Sequence, residues 1–159
     1  MHMSAKRAAI RFLLFALLGL LIEVFFTALG GAFRGNWNIT GHTSPWMMID
    51  YGLLGVILMP IARPLTRLGV PLPGRAVAYM IAIFFVEFVS GTIFTACGLH
   101  IWNYEKHALN LNGQITLMYA PFWYALGLGV EMLYRKIDAI AVMLLKGITA
   151  EQLEQLDPA

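Results

Sequence analysis

Four long apolar runs divide the chain. The first covers residues 8–33 and contains an apolar stretch at 12–22, then Glu23, then a second apolar stretch at 24–29. The others cover residues 46–62, 76–100 and 115–134. Hydrocarbon about 30 Å thick is crossed by roughly 20 residues at about 1.5 Å each, so every run is long enough. Backbone groups in lipid must bond within their own segment, which makes these runs helices. Pro60 and Pro121 stand where they would kink theirs. The pattern predicts an all-α polytopic membrane protein with four transmembrane helices.

After Lys136 the pattern changes. Ile137, Ile140, Ala141, Leu144 and Ile148 recur at spacings of three and four, drawing one apolar stripe on a helix. Thr149 is placed to cap a last turn containing Glu151, ahead of Leu153 and Leu156. The chain therefore divides into a four-helix transmembrane domain, 1–136, and a C-terminal amphipathic helix with a tail, 137–159. That helix lies at the cytoplasmic interface, extends the fourth span, or docks a partner. Pro71-Leu72-Pro73-Gly74 reads as a tight turn.

Composition agrees with a membrane address. Of 159 residues, 59% are hydrophobic and 13% charged, about half the charged share of a soluble domain. A net charge of +2 is too small to indicate nucleic acid. The single Cys97 rules out an intrachain disulfide framework and reads as a packed thiol in an apolar run. Nine of the eleven basic residues lie at the N-terminal end, with Arg11 in the first turn of the first run, between the second and third runs, or after the fourth; Arg34 and Lys106 alone lie in the other two connections. The excess places both termini in the cytoplasm, with a bacterial inner membrane as the expected location. A cleaved signal peptide fits the first run poorly, because its apolar core is too long and an acid interrupts it.

Charges inside a bilayer cost at least about 2.5–3.5 kcal/mol, so they need a partner or a purpose. Glu23 stands twelve residues beyond Arg11, and Glu87 twelve beyond Arg75. Both carboxyls therefore lie about 18 Å up their helices, at matched depth in the outer half. Asp50 and Tyr51 enter the second run one turn from its outer end. Glu131, four residues before Arg135, reads as an i,i+4 ion pair. The outer connections add His42, His100, Trp37, Trp46, Trp102 and Tyr104, an interfacial belt or the roof of a pocket floored by the two glutamates. A carboxyl pair can transfer protons, bind a cation, relay protons or only fix helix packing. The candidates for a substrate or proton pathway are Glu23, Glu87, Asp50, Tyr51, His42, His100, Trp102 and Tyr104. His42 and His100 with a carboxylate match no recognised metal motif, and no metal is assigned. No Gly-rich phosphate loop or Walker motif appears, and no cofactor is expected. Gly91, Gly127 and Gly129 read as close-packing positions.

The ordered landmarks Glu23, Gly41-His42-Thr43-Ser44 before Trp46, Tyr51-Gly52, Glu87 with Gly91, Trp102-Asn103-Tyr104, Asn112-Gly113, and Pro121 with Trp123 form a recognisable set. Over most of residues 10–134 the chain resembles the transmembrane protein 229 family, also described as a type IV ABC transporter permease component of the CmpB kind. Asn103 stands where that family often has Asp. The resemblance implies a permease-like membrane transport component working as a homo-oligomer or with partner membrane subunits. A small membrane enzyme acting on a lipid or isoprenoid by acid–base chemistry, and a structural membrane subunit, are the rival readings.

The topology is directly testable. In a Cys97→Ser background, single cysteines at Asn38 and Lys106 are expected to react with an impermeant thiol reagent from outside, and those at Gly74 and Gln155 only from inside. Outside labelling at Gly74 would overturn the orientation.

Overall fold

The computed structural model describes residues 5–149, 151–152 and 155. Leu153 and Leu156 lie outside the described residues. Four helices make up nearly all of it: α1, Ala5–Phe33; α2, Met47–Arg67; α3, Leu72–Ala96; and α4, Ala120–Lys146. Each packs on its sequence neighbours, and α4 closes back onto α1. Among the described residues, α1, α2 and α3 are long and apolar enough to cross a membrane. α4 has the length, but Glu131, Arg135, Lys136 and Asp138 interrupt its second half.

The first three runs lie within a few residues of their helices. The fourth begins later than its apolar residues suggest. Asn110–Leu111 (β1) and Ile115–Thr116 (β2) pair as an antiparallel hairpin. Asn112 and Gly113 both have positive φ, and Gln114 N–H returns to Leu111 O at 3.0 Å, the geometry that an Asn-Gly pair favours in a hairpin turn. A 3-10 turn, Leu117–Tyr119, leads into α4. Pro121 sits in the first turn of α4, where its missing N–H costs nothing and no kink is required. Cys97 caps the C-terminus of α3 and is exposed, not packed.

No helix end falls near Lys136, because α4 runs unbroken to Lys146 and stops at Gly147 in the left-handed conformation. The predicted apolar stripe is split between two uses. Ile137 and Ala141 are buried, while Ile140 and Leu144 remain exposed. Thr149 does cap the following turn: its hydroxyl accepts from Gln152 N–H, and the Gln152 side chain accepts from Thr149 N–H.

Small residues bring the helices together. A Cβ on Gly19 would overlap the Tyr51 ring, one on Gly52 the Phe12 ring, and one on Gly55 the Arg11 carbonyl. α1 and α2 thus meet along a seam of glycines that apolar patterning does not reveal. Gly127 serves in the same way against Ala76, and Gly91 against Gln114 and Trp102. Gly129 has open space and is not a packing position.

The core lies toward the end of the bundle where α1 begins and α4 ends. Phe15, Leu58, Tyr79, Val130, Tyr134 and Ile137 fill it. Two ion clusters border it. Arg75 donates to both Glu131 oxygens at 2.6 and 3.0 Å, and the Tyr79 hydroxyl also donates to Glu131. Glu131 thus bonds across to α3 in a two-pronged contact, and the predicted partner Arg135 adds only its charge nearby. In the second cluster Asp138 accepts from Arg7 at 2.7 Å and from Arg11 at 2.6 Å. Arg11 is only 2% exposed, donates to Gly55 O at 2.9 Å, and lies 5.0 Å from the centre of the Tyr134 ring.

Burial alone would raise the Asp138 pKa, but the hydrogen bonds from Arg7 and Arg11 outweigh it and hold the carboxyl below its ordinary range. A depressed folded pKa gives stability that is complete above the ordinary aspartate range and disappears as pH falls through the folded value. Asp138→Asn is expected to lower unfolding stability by about 2 kcal/mol at neutral pH, below the fully buried figure because Asp138 keeps some exposure. Its stability curve should also be flatter in acid. Denaturant unfolding in detergent across pH checks both, and a wild-type pH profile in the variant would rule out the clamp.

Candidate functional site

The other end of the bundle is hollow. A cavity of about 360 Å³ lies there, and both Glu23 and Glu87 line it. Tyr51, His42, Trp102 and Tyr104 line it too. Six of the eight sequence candidates thus share one space. Asp50 lies next door, lining a smaller space of about 30 Å³ with Glu87, Tyr51 and Trp123. His100 does not join them and is exposed beyond the end of α3. Trp37 is 80% exposed and Trp46 packs on Phe94, so neither roofs the cavity.

Each carboxylate accepts from a neutral donor. Glu23 projects from α1, and its Oε2 accepts from the Thr43 hydroxyl at 2.8 Å. Glu87 projects from α3, and its Oε2 accepts from the Trp123 indole N–H at 3.1 Å. Neither bond comes from a base, and no lysine or arginine lines the cavity. Asp50 is 7% exposed, and among the described residues neither of its oxygens has a hydrogen-bond partner. Buried polar groups are nearly always bonded, so a lone buried carboxyl marks a place where stability is not what has been optimised.

The two connections at this end form the cavity's outer wall. The first is strapped to α1: His42 N–H donates to Thr27 Oγ1 at 2.9 Å. Gly41 lies so close that a Cβ there would stand 2.0 Å from Val24 O. That approach brings Thr43 within reach of Glu23. The second connection is held by its hairpin. Trp102 donates to Gln114 O at 2.8 Å, and Tyr104 N–H donates to Gly113 O at 2.8 Å. Asn103 faces away from acid chemistry and caps the local turn, accepting from Glu105 N–H at 2.7 Å.

Sequence reasoning missed three members. Thr43 and Trp123 hold the carboxylates, and Tyr119 lies 5.4 Å from Tyr104 and 6.3 Å from Trp123, ring centre to ring centre, in the cavity wall. The Asn112-Gly113 turn signal could have exposed Tyr119. It ends the fourth apolar run's claim to be helix before residue 120, which leaves Tyr119 in the lining connection.

A second cavity, about 190 Å³ and almost wholly apolar, adjoins the first. The two share Glu23, Phe26, Tyr51 and Trp123 as wall. Its remaining lining includes Leu18, Ile22, Leu54, Phe122 and Leu126. No group of three or more histidine, cysteine or acidic side chains suited to a metal occurs among the described residues.

A family model described as "Putative ABC-transporter type IV" matches residues 10–152. The chain belongs to that family. The match covers all four helices and both connections around the cavity. No solved structure matches the chain. Membership in the type IV ABC-transporter family, with three helices apolar enough to cross a bilayer, makes this a multi-pass membrane protein. A family of transporter components also points to partner membrane subunits.

The strap over α1 is the part most open to test. Gly41→Ala must lift the first connection from Val24, at about 1–3 kcal/mol for overpacking. The same shift should release Thr43 from Glu23. Thermal unfolding in detergent measures the loss, and an alanine as stable as glycine would show that the connection is not pinned there.

Proposed function

We propose that the chain is a permease-like component of a membrane transporter, with Glu23 and Glu87 on its solute or proton path. The observation that carries this is the shared cavity: two carboxylates from different helices reach one space with no lysine or arginine to neutralise them. Acids placed for packing alone are expected to end on an opposite charge, as Glu131 does on Arg75, whereas Glu23 and Glu87 meet only a hydroxyl and an indole. In this reading α4 crosses the bilayer as a fourth span, and residues 137–159 lie at the cytoplasmic face. Both termini are cytoplasmic in a bacterial inner membrane, and the cavity faces the outer half. The likeness to the transmembrane protein 229 family belongs to the same reading. ATP-driven transport would draw on a nucleotide-hydrolysing unit outside these residues, supplied by a partner subunit. The exposed apolar faces, such as Leu17, Leu21 and Phe25 on α1, serve lipid or a second membrane subunit.

A second reading has its own support. The apolar cavity is bordered by Ile22, Phe26 and Phe122, whose side chains are also exposed on the bundle surface. A bilayer would therefore reach it sideways between α1 and α4, which suits a small enzyme acting on a lipid or isoprenoid by acid–base chemistry.

Both readings require the carboxylates to share a site, and infrared titration tests that. Glu23→Gln is expected to change the titration of the remaining Glu87 band, and Glu87→Gln that of Glu23, because coupled groups titrate as a pair. Both variants should keep wild-type stability, since glutamine still accepts from Thr43 or Trp123. Two carboxyls that titrate independently would leave helix packing as the better account.

A further inference from the structure

We infer that the cavity takes a cationic amphiphile: an ammonium head group between the carboxylates and the aromatic wall, and a short alkyl chain in the adjoining apolar space. This rests on the reading of the Glu23–Glu87 cavity as a ligand site and names the class of ligand.

Charge selects first. Glu23, Glu87 and His42 are the ionisable lining groups of the polar cavity apart from its tyrosines, and no lysine or arginine joins them. Asp50 adds a third carboxyl just behind Glu87, buried and without a hydrogen-bond partner among the described residues. An anion entering this space finds no lysine or arginine and at most the one histidine. A zwitterionic phospholipid head group would bring a phosphate with no lysine or arginine to meet it, while a net cation meets acids on two sides.

The aromatic wall selects next. Tyr104, Tyr119 and Trp123 are contiguous, with ring centres 5.4 and 6.3 Å apart. Tyr51 and Trp102 also line the space. Aromatic faces attract ammonium groups, most strongly where water is excluded. The indole N–H of Trp123 is already given to Glu87, so its ring is anchored beside the acid. A small inorganic cation makes poor use of such a wall, because it keeps its water or demands a ring of oxygens.

Shape selects last. The apolar cavity adjoins the polar one along Glu23, Phe26, Tyr51 and Trp123, and apart from those shared residues it offers only apolar side chains. Each methylene buried there is removed from water and adds to affinity. A head group alone leaves that space unused.

The test uses the full chain in nanodiscs for binding and in oriented membranes for access. Ser44 lines the polar cavity, and Asn38 lies outside it in the same connection. In a Cys97→Ser background, Ser44→Cys and Asn38→Cys are labelled with an impermeant thiol reagent from the outer face. Octyltrimethylammonium is expected to slow labelling at Ser44→Cys and not at Asn38→Cys. Tetramethylammonium should need at least about tenfold more for the same protection, and Glu87→Gln should raise the octyltrimethylammonium requirement about tenfold. Octyl sulfate and octylphosphocholine should not protect. Equal protection by octyl sulfate or octylphosphocholine would overturn the charge argument, and equal potency of tetramethylammonium would overturn the two-cavity ligand. Labelling at Ser44→Cys with no protection by any probe would remove the ligand class while leaving the outward-facing site intact. Labelling confined to Asn38→Cys would overturn both, since the cavity would then be closed to the outer face.

Discussion

The guanidinium of Arg11 is the most deeply buried charge among the described residues, and the bundle is arranged around meeting it. A charge in an apolar interior costs several kcal/mol unless it is paired and its donors are used. Three elements answer that need. α4 supplies Asp138, α2 supplies the Gly55 carbonyl, and the Tyr134 ring covers the guanidinium. One side chain thereby ties α1 to α2 and α4. The Arg75–Tyr79–Glu131 cluster does the same for α3 and α4. Ion pairs between helices, rather than capping or propensity, set the register of the four helices at the end where α1 begins and α4 ends.

Both ends hold space, but of different kinds. A cavity of about 220 Å³ among Arg7, Arg11, Arg63, Arg135 and Asp138 lies beside the ion cluster, while the other end holds the cavity of Glu23 and Glu87. The two ends treat acids differently. Asp138 and Glu131 are matched to arginines. Glu23 and Glu87 receive only neutral donors, and Asp50 receives none among the described residues. Acids held by a hydroxyl and an indole keep charge or proton capacity that a salt bridge would consume. That asymmetry separates a stabilising half from a working half within one short chain.

The glycines serve both halves. At Gly52 and Gly55 they let α1 and α2 approach closely enough for Arg11 to reach a backbone carbonyl. At Gly41 one lets a connection lie on α1 so that Thr43 meets Glu23. Close approach here is a condition of the polar contacts, and those contacts place the carboxylates.

Much of this was determined by the sequence alone. Apolar run length dictated helices, since a backbone in hydrocarbon has few other ways to satisfy its hydrogen bonds, and helical rise from matched basic residues put Glu23 and Glu87 at one level. Depth along a helix follows from counting. Direction around it, and the choice among partners, do not. Only the tertiary structure decided that Glu131 bonds Arg75 and not Arg135, that His100 is left outside the site, and that Trp123 enters it. The physical reason is the same in each case. These outcomes depend on which helix faces which, and that is set by pairing buried charges and fitting small residues across the bundle, interactions between positions far apart in the chain that no local pattern records.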